Sequence, residues 1–177
     1  MDFKALSENR HSVRSYLPDA IETEKLNIIL ETMRLAPSAG NRQSWKFFAV
    51  TDKKLIDAIA EVTLSKFVSE APCVLVACGK GDSIMRSGHD VTTVDVSIAM
   101  TIGMMAATDL GLGSCLIASH EQEPVCKILG LDDEWRIPMI CTLGYQNGEV
   151  QVREKKPFII STLPGGLRYC TTASFDS

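Results

Sequence analysis

No Cys-x-x-Cys pair occurs in this sequence, and its three histidines, His11, His89 and His120, lie far apart. Zinc sites need closely spaced thiolate or imidazole ligands, so that chemistry is set aside. "HEQEP" from His120 lacks the second histidine of a zinc-protease helix. The six cysteines (Cys73, Cys78, Cys115, Cys126, Cys141, Cys170) are scattered, mostly within apolar runs. Reduced, buried thiols in a cytoplasmic protein are expected rather than a disulfide framework. There is no excess of basic charge: Lys and Arg number 18 against 22 Asp and Glu, for a net charge of −4. That argues against nucleic acid as a partner, because phosphate neutralisation needs a concentrated basic face. The first residues, "MDFKALSENRHSV", lack the charged start, apolar centre and cleavage site of a signal peptide. The most apolar run, 96–108, falls short of the about 20 residues that span a bilayer, so no membrane partner is expected.

Nucleophile and nucleotide motifs are missing as well. "APSAG" (36–40) looks like a nucleophile elbow, but that elbow needs a strand before it and a helix after. The order here is reversed, so Ser38 is rejected as a nucleophile. "GLGSC" (111–115) follows a helix and enters a strand, the reverse of a dinucleotide fingerprint. "CGKGDS" (78–83) lacks the spaced glycine and the Ser or Thr after lysine that a phosphate loop requires.

What is present is a 177-residue chain with 45% apolar and 23% charged residues, the make-up of one globular domain over 1–177. The patterning predicts helices at 2–9, 22–35 (with Thr23 as a cap), 53–62, 92–110 and 121–129. It predicts strands at 45–51, 71–78, 114–118 and 138–145, with "PFIIST" as an edge strand. Pro37 stops the second helix near Ala36, and Gly111 stops the long one. That long helix is apolar on most faces and needs cover nearly all round, for which a subunit interface is attractive. Asp90 reads as a helix N-terminal charge and Asp95 as a buried or interfacial hydrogen-bonder. Helices and strands interleave without strict alternation, which fits an α+β sandwich.

Three polar clusters stand out. "RHSVRSY" places Arg10, His11, Ser12 and Arg14 together; if extended, Arg10, Ser12 and Arg14 point to one side. Such a set suits a phosphate, or else is a solvated basic turn. Ser38, Asn41, Arg42, Gln43 and Ser44 form a run of donors and acceptors beside Ala39 and Gly40, which let a backbone come close to a ligand; a plain polar loop has the same composition. "VREKKPF" adds Arg153, Lys155 and Lys156, either phosphate partners or a charged surface.

Taken in order over about residues 3–160, these pieces resemble the nitroreductase family of FMN-dependent flavoproteins. R-x-S-x-R is similar to its flavin-phosphate segment. "APSAGNRQSWKF" is similar to its APS-x-x-N-x-Q-x-W loop, and "DVSIAMTIGMMAATDLGLGSCLI" to its central helix and flavin-facing strand. The resemblance implies an α+β fold, a central mixed sheet flanked by helices, and an intertwined homodimer with FMN at the interface. It implies that Arg10, His11, Ser12 and Arg14 hold the phosphate, and that Pro37, Ser38, Ala39, Asn41 and Gln43 come from the partner chain. Leu116, Ile117, Ala118 and Ser119 would lie along the flavin ring, with Arg153 and Lys155 completing the phosphate site. The implied activity is hydride transfer from NADH or NADPH through flavin N5 to a nitroaromatic, quinone or similar acceptor, in ping-pong order. The same fold with another flavin reaction (dehalogenation, flavin fragmentation, ring dehydrogenation), a non-catalytic FMN-binding module and a cofactor-free domain are the alternatives. This chain is short for the family, with little between Val62 and Ala71, and residues 163–177 form an extension, a strap or a disordered tail.

Overall fold

Short polar residues start most of the helices. The computed structural model describes residues 1–81, 83–149, 154–162 and 168–172. Asp2 accepts the Ala5 N–H at the start of α1 (Phe3–Asn9), Asp52 accepts those of Lys54 and Leu55 at α3 (Lys53–Glu61), and Asp90 accepts that of Thr93 at α4 (Val91–Asp109). These bonds satisfy N–H groups that a helix cannot pair itself. Helices α2 (Thr23–Arg34) and α5 (Gln122–Ile128) are exceptions: their N-caps, Glu22 and Glu121, make no side-chain bond. The cap expected of Thr23 is therefore corrected, since Thr23 is already the first helical residue. Leu35 closes α2 through Glu31 O, two residues before Pro37.

The remaining elements are β1 (Trp45–Val50), β2 (Cys73–Lys80), β3 (Gly113–Ile117), α5 (Gln122–Ile128) and β4 (Trp135–Gly144). The central sheet has the order β1-β2-β4-β3. Every ladder in it is antiparallel, which corrects the expected mixed sheet. The reason is topological. Helix α4 carries the chain from the end of β2 back to the start of β3, so those two strands run parallel, but β4 inserts between them. Among the described residues, the parallel pairing present is an isolated bridge, Ser12↔Ser114, on the outer edge of β3.

Alternation along β2 sends its side chains to two cores. Cys73, Leu75 and Ala77 join Cys141, Leu143, Ile29, Met33 and Met100 under α2 and α4. Val74, Val76 and Cys78 join Ile140, Ile56, Ile59 and Val125 under α3 and α5. A strand buried on both faces reads as an unbroken apolar run, as "CVLVAC" does. Cys73, Cys78, Cys115, Cys126 and Cys141 are all buried and free, as expected of reduced thiols.

Helix α4 matches the helix expected at 92–110 to within one residue at each end. At 19 residues it is long and apolar enough to cross a bilayer by length and composition, but it packs as a core helix against α2 and the sheet. Its Val96, Ala99, Met100, Gly103, Met104 and Ala107 are buried. Val94, Ile102 and Met105 are only half-buried, and Ile98 is 37% exposed. One apolar stripe of α4 is thus uncovered in the single chain.

The segment "PFIIST" forms a strand, β5 (Phe158–Thr162), but not at the edge of the central sheet. It pairs with β6 (Arg168–Thr172) in a separate two-stranded sheet. The tail therefore contains a strand that its composition did not reveal.

Candidate functional site

The arm after α1 lies along the free edge of β3 and is pinned along its length. Val13 N–H donates to Ser114 O at 2.9 Å, and Leu17 N–H to Tyr145 O at 2.8 Å. Tyr16 buries its ring and bonds Val13 O at 2.6 Å and Thr142 Oγ1 at 2.7 Å. Burial raises the Tyr16 pKa, so this hydroxyl stays a neutral bridge. Gly113 lets Val13 seat on the strand: a Cβ there would stand 2.6 Å from Val13 Cγ2.

An extended arm alternates, and the alternation sorts its side chains. Val13 enters a small core with Tyr16 and Ala71. His11 faces Gln146, its Nε2 3.0 Å from Oε1. Cys115, buried on β3 next to Ser114, feels the charges of the arm. Burial raises that thiol's pKa, opposed by the Arg14 charge, by Ser12 and by the Arg10 charge. Arg10, Ser12 and Arg14 alternate along the arm with His11, whose ring is taken up by Gln146. Arg14 also lies 6.0 Å from the Phe67 ring centroid. Beside Ser12, the Ser114 hydroxyl is buried without a partner. Sequence reasoning missed Ser114; its bridge to Ser12 is a tertiary pairing that local pattern does not encode.

Leu116 and its neighbours continue this edge. Leu116 is 43% exposed although it belongs to a strand, whereas Ile117 is buried in the α3/α5 core. Ala118 and Ser119 are exposed. Among the described residues, the outer edge of β3 carries no bridge between Ser114 and the pair Thr63↔His120. Past the strand, His120 Nε2 sits 3.0 Å from Ile137 O while Nδ1 is buried without a partner. Burial lowers its pKa, the Ile137 bond opposing, so the imidazole is held neutral.

The loop after α2 is built differently. Gly40, Asn41 and Gln43 have φ of 59°, 54° and 52°, a region that non-glycine residues seldom occupy. Ser38 Oγ accepts the Gln43 N–H at 3.0 Å, and Gln43 Nε2 reaches Asn41 Oδ1 at 3.2 Å. Asp95 on α4 accepts the Ala39 N–H at 3.0 and 3.1 Å. Ser38 is thus a loop-holding acceptor. Pro37, Asn41 and Gln43 are exposed, and Ser38 and Ala39 half-buried.

These two clusters occupy opposite edges of the sheet. The loop leads into β1 and the arm lies on β3, with β2 and β4 between them. At about 4.8 Å per strand, they are about 14 Å apart across the sheet. Trp45 aligns with Gly79 and Arg136, whereas Ser114 aligns with Leu143, so they are also displaced along the strands. Lys155 is exposed in the segment before β5; Arg153 lies outside the described residues.

A profile of the nitroreductase family matches residues 8–72 and 63–145. The chain belongs to the nitroreductase family. A nitroreductase relative in Archaeoglobus fulgidus, named for NADH dehydrogenase and NAD(P)H nitroreductase activity, is 30% identical over 145 residues, covering 79% of this chain and 83% of its own. A solved nitroreductase family protein from Clostridium novyi NT superposes with a TM-score of 0.77 at 29% identity, covering 83% of this chain and 86% of that one. An FMN-dependent nitroreductase from Clostridium difficile R20291 does so with 0.77 at 26%, covering 86% and 92%. The nitroreductase α+β fold expected from the sequence is therefore the fold of this chain.

The donor set fits an FMN. The arm that carries Arg10, Ser12 and Arg14 is bridged to β3 at Ser114, whose hydroxyl is buried without a partner; such donors suit a phosphate. An exposed leucine on a strand with a free edge follows, suited to a flat ring with a polar rim.

Proposed function

We propose that this nitroreductase-family chain is an FMN-dependent oxidoreductase, working as a homodimer, that passes hydride from NADH or NADPH to a nitroaromatic, quinone or similar acceptor. The observation that carries the reading is the division of the candidate site between two edges of one sheet. A ring lying along β3 stands about 14 Å from the loop of its own chain, several times a hydrogen-bond length. A second copy packed on the uncovered stripe of α4 supplies the missing cover and brings its own loop to that ring.

In this reading Arg10, Ser12 and Arg14 bind the phosphate, with Ser114 buried beneath and Lys155 and Arg153 adding charge from the tail. His11 orients the arm through Gln146 rather than meeting the phosphate by its side chain. Leu116, Ile117, Ala118 and Ser119 form the platform. Pro37, Ser38, Ala39, Asn41 and Gln43 of the second copy close the other side, with Asn41 and Gln43 offering amides to the polar rim. FMN supplies the redox chemistry when bound; the chain supplies placement and electrostatics. A nicotinamide and an acceptor taking turns over Leu116 give ping-pong order. No side chain serves as a nucleophile, consistent with a Ser38 hydroxyl already engaged by Gln43.

Purified protein is expected to carry flavin absorption, or to gain it with added FMN. NADH or NADPH should bleach that band without oxygen, and a quinone or nitroaromatic should restore it. A colourless protein that ignores added FMN would refute the proposal; bound FMN that no nicotinamide reduces would favour a binding module.

A further inference from the structure

We infer that Asp95 is a positioning residue for the flavin, acting through the loop 38–43; the inference rests on the functional reading above. Asp95 lies in the second turn of α4, beside Val94 and one turn before Ile98 on the uncovered stripe. Its two oxygens share one donor, the Ala39 N–H, at 3.0 and 3.1 Å. Ala39 immediately precedes the left-handed residues Gly40 and Asn41. Such conformations persist only where surrounding contacts over-determine them. The bonds of Ser38, Asn41 and Gln43 tie the loop to itself, whereas the Asp95 bond ties it to α4. Beside Asp95 lies a pocket of about 140 Å³, to which the loop's far end contributes Arg42 and Ser44 and β2 and α4 contribute Gly79 and Thr92. The carboxylate holds the Ala39 end of the loop against α4 at the wall of this space. Without it, among the described residues, nothing but the loop's own bonds holds Gly40 and Asn41 in their left-handed conformations. The turn of α4 that meets a second copy is therefore also the turn that shapes what this chain offers to it.

The test compares wild type, Asp95→Asn and Asp95→Ala as full-length dimers loaded with FMN. Asparagine keeps one acceptor oxygen without the charge; alanine keeps neither. Charge-assisted bonds are about twice as strong as neutral ones, so the FMN off-rate should rise several-fold in Asp95→Asn and about tenfold or more in Asp95→Ala. The visible flavin band should shift in the same order, while the dimer mass and the Tm of apo-protein stay close to wild type. A folded, dimeric variant with the wild-type off-rate and spectrum overturns the inference. If Asp95→Ala does not fold, Asp95→Asn alone decides. If wild type binds no FMN, the functional reading fails first. Amide exchange across 38–44 in apo-protein then decides the clamp: faster exchange in Asp95→Asn supports it, and unchanged exchange overturns it.

Discussion

Replacing Gly113 with alanine should both weaken the fold and loosen the cofactor. The added methyl would stand 2.6 Å from Val13 Cγ2, 2.8 Å from Cβ and 3.0 Å from Cγ1. Strand β3 is held by β4 along its other edge, so the arm is the part free to yield. Overpacking of this kind costs about 1–3 kcal/mol. The Val13–Ser114 bond would stretch, and Arg10, Ser12 and Arg14 would move with Val13. Val13→Ala alone removes two buried methyl groups, about 1.6 kcal/mol at about 0.8 each, plus a cavity term. In the double variant the Cγ contacts are gone and only the Cβ contact at 2.8 Å remains, so the combined loss should fall short of the sum by about 0.5 kcal/mol or more. Urea midpoints of apo-protein measure the stability half, and FMN fluorescence titration the affinity half. Gly113→Ala with wild-type stability and affinity, or strict additivity with Val13→Ala, would refute the seating of the arm on this glycine.

Arg10→Ala and Arg14→Ala should each weaken FMN by about 1.5–3 kcal/mol, the range for hydrogen bonds to charged groups, with little change in Tm; unchanged affinity by titration would remove that arginine from the site. Ile98→Glu puts a charge on the uncovered stripe of α4 and should give a monomer by light scattering that has also lost flavin; a flavin-loaded dimer would contradict the interface. His120 should make stability fall in mild acid. Its folded pKa is depressed, so the unfolded chain takes a proton near pH 6.5 that the folded one refuses, and stability present above about pH 6.5 is lost as pH drops through the folded value. Urea midpoints between about pH 7.5 and 5.5 should decline more steeply in wild type than in His120→Gln; equal slopes would contradict this.

Much of the fold was legible because the signals were local. Pro37 after a helical run, Gly111 after another, and the unbroken apolar stretch at 73–78 each act within a few residues of themselves. The antiparallel character of the sheet was not legible. It depends on β4 entering between β2 and β3, a choice no single segment encodes. Thr23 misled because a capping residue type sat one place inside the helix. At the site, alternation in "RHSVRSY" predicted Arg10, Ser12 and Arg14 on one side but could not say that His11 turns to Gln146. Asp95 was visible as a polar residue on an apolar helix, while its partner Ala39 lies in another segment of the chain. Ser114 gave no signal, since a serine entering a strand is ordinary until its hydroxyl is found buried and unpaired.

The claim that each flavin site is built from two chains can be tested by mixing defects. One subunit would carry Arg10→Ala with Arg14→Ala, the other Asn41→Ala with Gln43→Ala, and the mixed dimer would be purified by two tags. Each variant's own homodimer should lack flavin. In the mixed dimer one site joins an intact arm to an intact loop, so the account predicts one FMN per two chains at near wild-type affinity. A mixed dimer that binds none would show that arm and loop serve the same chain, and would contradict the account.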